Sequence, residues 1–571
     1  MASEETPHGT LLRKIRAVAG ELGRVDPAAA FEEARGQTFH YQLFPSSSCL
    51  VEQDEEPPTA LNVEALDVVL QVAKMLDARV LDEVHVMRKA VADGSAVSAF
   101  QRTALVAVDG SLDTSQGKVQ IATICLEEES AGIVEKTQGH ATYRLDRLGI
   151  PLVEVATDAS LKNGAHAREV AEKIGGMLRA TGRVQRGIGS IRQDLNVSIA
   201  GGARVEIKGA QELRDVADLV DFEAKRQQTL IDIRATVKRR GFAGLAFGRP
   251  VDVSNVFAGA KPFLSKPLAD GSVALAYKFM FLGGLMGKEL VPDLRFGSEV
   301  SDYVKSKTGV KGIVHSDEDP GQYGLSSADF DTIAMALDCG SNDAWAAVVA
   351  PEGVAVPALK AAFDRAFLLE VPKETRRAEG VTSRFMRPLP GAARMYPETD
   401  VLPVRVSSAV LSKVRLPVSR EERKAHYVRL GLGEQLAEKL VRSYDGSLFD
   451  FLCQTADAKT VAWVLLDVKP QLRRLGVGVE WPEARWKAVL SLYASGAVTR
   501  AALPEVVRLA AEKPEASLMD LVRANQLERV TGKNLEALAA SFRFDFGEVM
   551  RAHRLTVDAE ELRILLARQS P

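Results

Sequence analysis

Apolar and polar residues alternate most strictly between Ser190 and Lys208, SIRQDLNVSIAGGARVEIK, and the alternation predicts a β-hairpin. Ala200-Gly201-Gly202 reads as a three-residue loop in which a glycine supplies the positive φ angle. Ser198 then stands opposite Arg204, Asn196 opposite Glu206 and Asp194 opposite Lys208, while Ile199/Ala203, Val197/Val205 and Leu195/Ile207 pair on the other face. One face is core. By periodicity alone the other is either an ordinary solvated sheet surface or a place for chemistry.

Helical spacing of Leu66, Val69, Leu70, Ala73 and Leu76 predicts an amphipathic helix over 61–76, after the turn DEEPP. Short β-branched runs at 84–87, 103–108 and 120–126 read as strands, separated by turns at Asp93-Gly94 and Asp109-Gly110. A helix over about 165–180 leads into the hairpin, and a charged one over about 212–240 leaves it and stops at Gly241. From about 255 to 383 glycine-rich strands (279–285, 311–314, 345–349) alternate with short helices, as in an inserted module. The proline-rich segment MRPLPGAARMYPETDVLPV, 386–404, reads as an extended return to the first domain. Beyond Leu416-Pro417 the period is helical throughout.

The fold class expected is therefore α+β and multidomain: a mixed-sheet cradle domain (1–256, with a return segment 384–416), an inserted α+β module (257–383), a helical domain (417–494) and a helical tail (495–571). A chain of 571 residues exceeds one ordinary core, in keeping with that division. The formal net charge of -3 leaves any nucleic-acid contact to local patches. Four cysteines stand far apart without a CxxC, against a disulfide framework or structural zinc. No run approaches the roughly 18 apolar residues of a membrane span, and no signal-peptide core opens the chain, so a cytoplasmic location is expected.

Acidic clusters stand beside the hairpin in sequence: Glu127-Glu128-Glu129 at a strand end, Glu154 in DRLGIPLVE, and Asp194 and Glu206 in the hairpin itself. Carboxylates so concentrated repel one another unless a cation lies among them, and hard oxygen donors select Mg²⁺ or Ca²⁺. Lys89, Arg192, Arg204 and Lys208 add cations that hold phosphate oxygens. The set describes a metal-nucleotide site, and without GxxxxGK[ST] it is not a P-loop. Taken singly, the glutamates also fit a solvated strand end, and Arg192 and Lys208 fit cross-strand ion pairs with Asp194 and Glu206. Asn196 reads as structural, and His315 and His426 as surface or satisfied core residues. The 386–400 stretch reads as a rigid wall, with Arg394 and Tyr396 its candidates for contact with a reactant path.

The ordered motifs RTALVAVDGSL, ICLEEE, YRLDRLGIPLVE, SIRQDLNVSI, ARVEIKG, RQ and MRPLPGAARMYPETD resemble the family of the E subunit of the archaeal glutamyl-tRNA(Gln) amidotransferase, and more distantly the B subunit of the bacterial enzyme. The resemblance runs from about residue 9 to the C-terminus. It implies a ligase of protein biosynthesis in which a cradle binds ATP, Mg²⁺ and the charged 3′ end of tRNA. The γ-carboxylate of glutamate on tRNA(Gln) is phosphorylated, and ammonia then displaces phosphate. The insert is similar to that of bacterial-type aspartyl-tRNA synthetases, and the helical and tail domains are expected to grip tRNA. The implied partners are glutamate-charged tRNA(Gln) and an asparaginase-like amidase, the D subunit, in a hetero-oligomer of D and E subunits, with no membrane. By motif, Glu128 and Glu154 are expected as metal ligands with Glu127 beside them. Lys89, Arg192 and Asp194, with Glu127, are the expected catalytic groups; Arg192, Asp194, Glu206 and Lys208 are the expected nucleotide-side groups.

The chain departs from the family pattern in two places. Family members begin with a strand close to GLEIHQQL that supplies a histidine ligand, whereas HGTLLRKIRAVAGE matches a point several tens of residues further in, so His8 takes no metal role. A late-assigned start or a truncation is the expectation, and with it a second function class: a tRNA-binding scaffold impaired in chemistry. Glu129-Ser130 also replaces the usual aspartate and alanine. A synthetase proper is disfavoured, since neither HIGH nor KMSKS occurs.

Overall fold

The computed structural model describes residues 5–569 except 21, 22, 138, 186, 188, 243, 369, 444 and 480. The chain divides into two compact units, Met1–Leu416 and Pro417–Pro571. The first is α+β and the second is helical, a multidomain α+β protein overall.

Strands β1 (Val86–Ala90), β2 (Phe100–Thr114), β3 (Gly117–Glu128) and β4 (Pro151–Thr157) form an antiparallel sheet in the order β4-β3-β2-β1, and Met395–Pro397 extends it beyond β1. The proline-rich segment thus returns to the first domain as read. Helix α1 (Val63–Met75) begins where the Asn62 side chain accepts the Ala65 amide, and its apolar stripe packs on Val86, Ala104, Ile124 and Leu126. One sheet face is therefore core. Asp109-Gly110, read as a turn, lies inside β2 instead. The ladder to β3 runs on to Thr114 and Gly117 and overrides the local signal, with Asp109 held at φ 57° and paired by its carboxylate to Arg79 at 3.0 Å.

Helix α2 (Gly164–Ala180) precedes a second sheet, formed by the hairpin strands β5 (Gln193–Val197) and β6 (Val205–Ala210). Leu195 pairs with Ile207, Asn196 with Glu206 and Val197 with Val205, the register that the alternation predicts. A shift between Gln193 and Leu195 sets Gln193 opposite Ala210, so Asp194 reaches Lys208 through its side chain rather than as a paired residue. Helix α3 (Val216–Arg239) covers the apolar face through Leu219.

The insert is built on a sheet of Val251–Asp252, Val273–Phe279, Ala344–Ala350 and Val314–His315, with helices α4 (Phe296–Thr308) and α5 (Glu352–Ala366). The strand read over 279–285 ends at Phe279. Phe281 takes φ 69° and gives its amide to the Asp343 carboxylate, which turns the chain at once. The strand read over 311–314 is Val314–His315. His315 is buried, as one of its two readings had it.

Strands β7 (Glu374–Glu379) and β8 (Thr382–Pro388) then leave the insert and complete the hairpin's sheet, in the order β5-β6-β7-β8, with β7 parallel to β6. Residues 374–383, expected in the inserted module, belong by hydrogen bonding to the hairpin. In the second unit one apolar core runs from Tyr427 to Leu527, across the expected 494/495 boundary, and a smaller one joins Leu535, Ala539, Val549, Val557 and Leu562. No described helix is long and apolar enough to cross a membrane.

Candidate catalytic site

Because strand side chains alternate, three consecutive glutamates at the end of β3 cannot share a face. Glu127 lies opposite Thr103 of β2 and Leu152 of β4; Glu154 lies opposite Cys125. Lys89, Thr103, Cys125, Glu127 and Glu154 therefore occupy one face, opposite the helix-covered core. Lys89 Nζ lies 2.5 Å from Glu127 Oε1. Glu127 and Glu154 also hydrogen-bond to each other, and the two acids are pushed apart in pKa. Burial and the facing Glu127 carboxylate push Glu154 up to about 7, with Asp194 adding to the effect and Lys89 opposing it. Burial also acts on Glu127, but Lys89, with hydrogen bonds from Glu154 and Thr103, outweighs it and holds the acid below its ordinary range. Between them the Cys125 thiol is pushed up to about 12 by burial and by both carboxylates, so it is inert.

Glu128 points the other way. Its carboxylate is bound by Arg102 on the core-facing side, where a cavity of about 190 Å³ is lined by Thr59, Asn62, Arg102, Glu128 and Pro151 among others. Glu128 and Glu154, expected together as metal ligands, lie on opposite faces by the period of two, and Glu127 is the residue that shares the face of Glu154. Glu129 belongs to neither group, since its Oε2 accepts from Arg192 at 2.6 Å and Arg147 at 3.0 Å.

The hairpin reaches this face. Arg192 docks it onto Glu129, and Asp194 is near enough to raise Glu154. Lys208 Nζ sits 2.6 Å from Asp194 Oδ2 and 3.0 Å from Glu206 Oε1. Burial favours the neutral amine, but the two carboxylates outweigh it and raise Lys208, and Lys208 in turn helps to lower Glu206 against burial. The structure therefore brings together Lys89, Glu127, Glu154, Arg192, Asp194, Glu206 and Lys208, and leaves Glu128 on the far side of the sheet. Arg204, next to the loop, forms none of these contacts. Arg147 is an addition that its place in DRLG signalled; Thr375, whose hydroxyl donates to Glu206 at 2.9 Å, is one that no local pattern signalled.

Among the described residues no three His, Cys, Asp or Glu side chains form a ready metal cage. Glu127 and Glu154 nevertheless offer two hard oxygen donors on one face of the sheet. A small divalent ion that keeps several waters and phosphate oxygens as ligands fits such a pair.

Acids paired on one sheet face, met by a charged hairpin of a second sheet, are the arrangement of a catalytic domain. Residues 36–412 match the GatB/GatE catalytic domain. The chain is 42% identical over 551 residues to the glutamyl-tRNA(Gln) amidotransferase E subunit of Aeropyrum pernix, covering 94% of this chain and 85% of that protein. It is 40% identical over 528 residues to the E subunit of Pyrococcus furiosus (91% and 83%), and 38% identical over 587 residues to that of Methanosarcina barkeri (98% and 92%). The chain belongs to the GatB/GatE amidotransferase family. It is an enzyme of the ligase kind.

Proposed function

We propose that the protein converts glutamyl-tRNA(Gln) to glutaminyl-tRNA(Gln) at the expense of ATP. A carboxylate resists ammonia until it carries a leaving group. In the first step an oxygen of the glutamate γ-carboxylate attacks the γ-phosphorus of ATP, the bond to the bridging oxygen breaks, and ADP departs. In the second, ammonia attacks the acyl carbon, inorganic phosphate leaves with the bonding pair, and the proton that the nitrogen loses passes to that phosphate. Both steps need charge neutralisation more than covalent help.

Lys89, Arg192 and Lys208 supply the fixed positive charge, and Asp194 and Glu206 hold Lys208 in place. Glu127 and Glu154 would hold Mg²⁺, which when bound supplies charge neutralisation at the phosphates. Ammonia comes from an asparaginase-like amidase partner, the D subunit, in a cytoplasmic hetero-oligomer. The observation that carries this reading is the convergence of Asp194 and Arg192 of the hairpin with Glu154 and the end of β3. The test is γ-phosphate release from ATP by the assembled enzyme with and without glutamyl-tRNA(Gln). Release that ignores the charged tRNA, or amide formation without ATP, refutes it.

A further inference from the structure

Strand β7 employs its two faces differently. Thr375, 0% exposed, stands opposite Glu206 in the parallel pairing with β6 and opposite Arg387 across β8. Its Oγ1 donates to Glu206 Oε2 at 2.9 Å, while Glu206 Oε1 forms an ion pair with Lys208 Nζ at 3.0 Å. With one carboxylate oxygen engaged by each neighbour, the hydroxyl fixes the plane in which Glu206 meets Lys208. An ammonium has three N–H groups. Lys208 donates one to Asp194 and pairs with Glu206 by charge, and an N–H group remains for a ligand.

A residue that positions another must itself be held, and the opposite face of β7 does this. Glu374 and Arg376, on either side of Thr375, are buried in a cluster with Glu223 and Arg226 of α3, Glu299 of α4 and Arg365 of α5. Three glutamates meet three arginines, so the cluster is neutral. Arg226 lies 2.8 Å from Glu223 and 2.7 Å from Glu299, and Arg376 gives two further hydrogen bonds of 2.8 Å to Ser383 of β8. The strand is fastened to α3, α4 and β8 within one residue of Thr375 on each side.

We propose that Thr375 is a positioning residue for the amidation reaction: its hydroxyl sets the Glu206 carboxylate that aims Lys208 at the phosphate oxygens of ATP. The proposal rests on the function proposed above and extends it to a strand outside the motifs singled out in the sequence. Thr375→Val keeps the shape and removes the donor. In the assembled enzyme with glutamyl-tRNA(Gln), this variant raises the KM for ATP about tenfold with a smaller change in kcat, the size expected for one hydrogen bond to a charged group. Thr375→Ser restores the KM to within about twofold, and Thr375→Val adds nothing in a Glu206→Gln background. Should the valine variant melt below the assay temperature, Thr375→Ala against Thr375→Ser makes the same comparison. An unchanged KM in a folded valine or alanine variant, a serine variant as impaired as they are, or a full further loss in the Glu206→Gln background overturns the proposal. A wild-type enzyme without tRNA-dependent phosphate release is a separate outcome: it refutes the reaction itself, and the role of Thr375 with it.

Discussion

Glu127 and Glu154 turn their carboxylates toward one another from neighbouring antiparallel strands, while Glu128, one residue along, faces the opposite side of the sheet. A single step in a strand separates a group that faces Glu154 from one that braces the core against Arg102.

Glu127→Gln and Glu154→Gln should each lower tRNA-dependent phosphate release by about 100-fold or more, with tRNA affinity within a few fold of wild type. Glu128→Gln should stay within about tenfold. Loss of activity on substitution of Glu128, with wild-type rates for Glu154→Gln, would reverse the assignment of faces.

Asp194→Asn and Lys208→Ala act on one contact and should not combine freely. Each is expected to lower kcat/KM for ATP by about tenfold or more, and the double variant by clearly less than the product of the two. Fully multiplicative losses would mean that the 2.6 Å pair is not a working unit in the enzyme.

The buried Arg and Glu cluster predicts unequal costs for removing charges. Arg226→Met leaves three buried glutamates to two arginines and is expected to cost about 3–5 kcal/mol. Lys360→Ala breaks only the exposed Lys360–Asp364 pair and is expected to cost about 0.5 kcal/mol or less. Urea dependence of hydrogen exchange across residues 370–390 reads both, and equal small effects would show that the cluster is not tightly held.

Asp93 governs part of the response to acid. Burial pushes its carboxyl up, but Arg387 at 3.3 Å and two hydrogen bonds from Ser95 outweigh it and hold the group below its usual range. Its folded value lies below the unfolded one of about 3.9, so its contribution is fully present above that pH and is lost as pH falls through the folded value. Asp93→Asn should therefore melt lower than wild type at pH 7 and lose less on further acidification. Parallel melting curves against pH for the two proteins would show that Asp93 is not the group responsible.

What the sequence made legible was local. The hairpin register was readable because a period of two and a glycine loop leave one pairing that buries Val197, Val205 and Ile207 together. The helices over 63–75, 164–180 and 216–239 were readable from their stripes and caps. Asp109-Gly110 misled because strand pairing with β3 outweighs a turn dipeptide, and the facing of Glu128 was not legible because a motif does not say which way a strand faces. Arg147 lay within a motif already singled out. Thr375 could not be found at all from local pattern: it meets Glu206 across 169 residues, and only the closed sheet brings them together.

That same separation orders events during synthesis. The hairpin leaves the ribosome with one side of β6 open, and its partner strand β7 follows only after the intervening insert. At about 5–20 residues per second, 169 residues occupy on the order of ten to thirty seconds. Throughout that interval β6 is a bare edge, a template for wrong pairing in a crowded cell. The insert's own sheet, whose principal strands Val273–Phe279 and Ala344–Ala350 both precede Glu374, can close first and deliver β7 to its place. The nascent chain is thus most vulnerable between the emergence of Ala210 and that of Glu379, and a chaperone that shields exposed strand edges has its best-defined client window there.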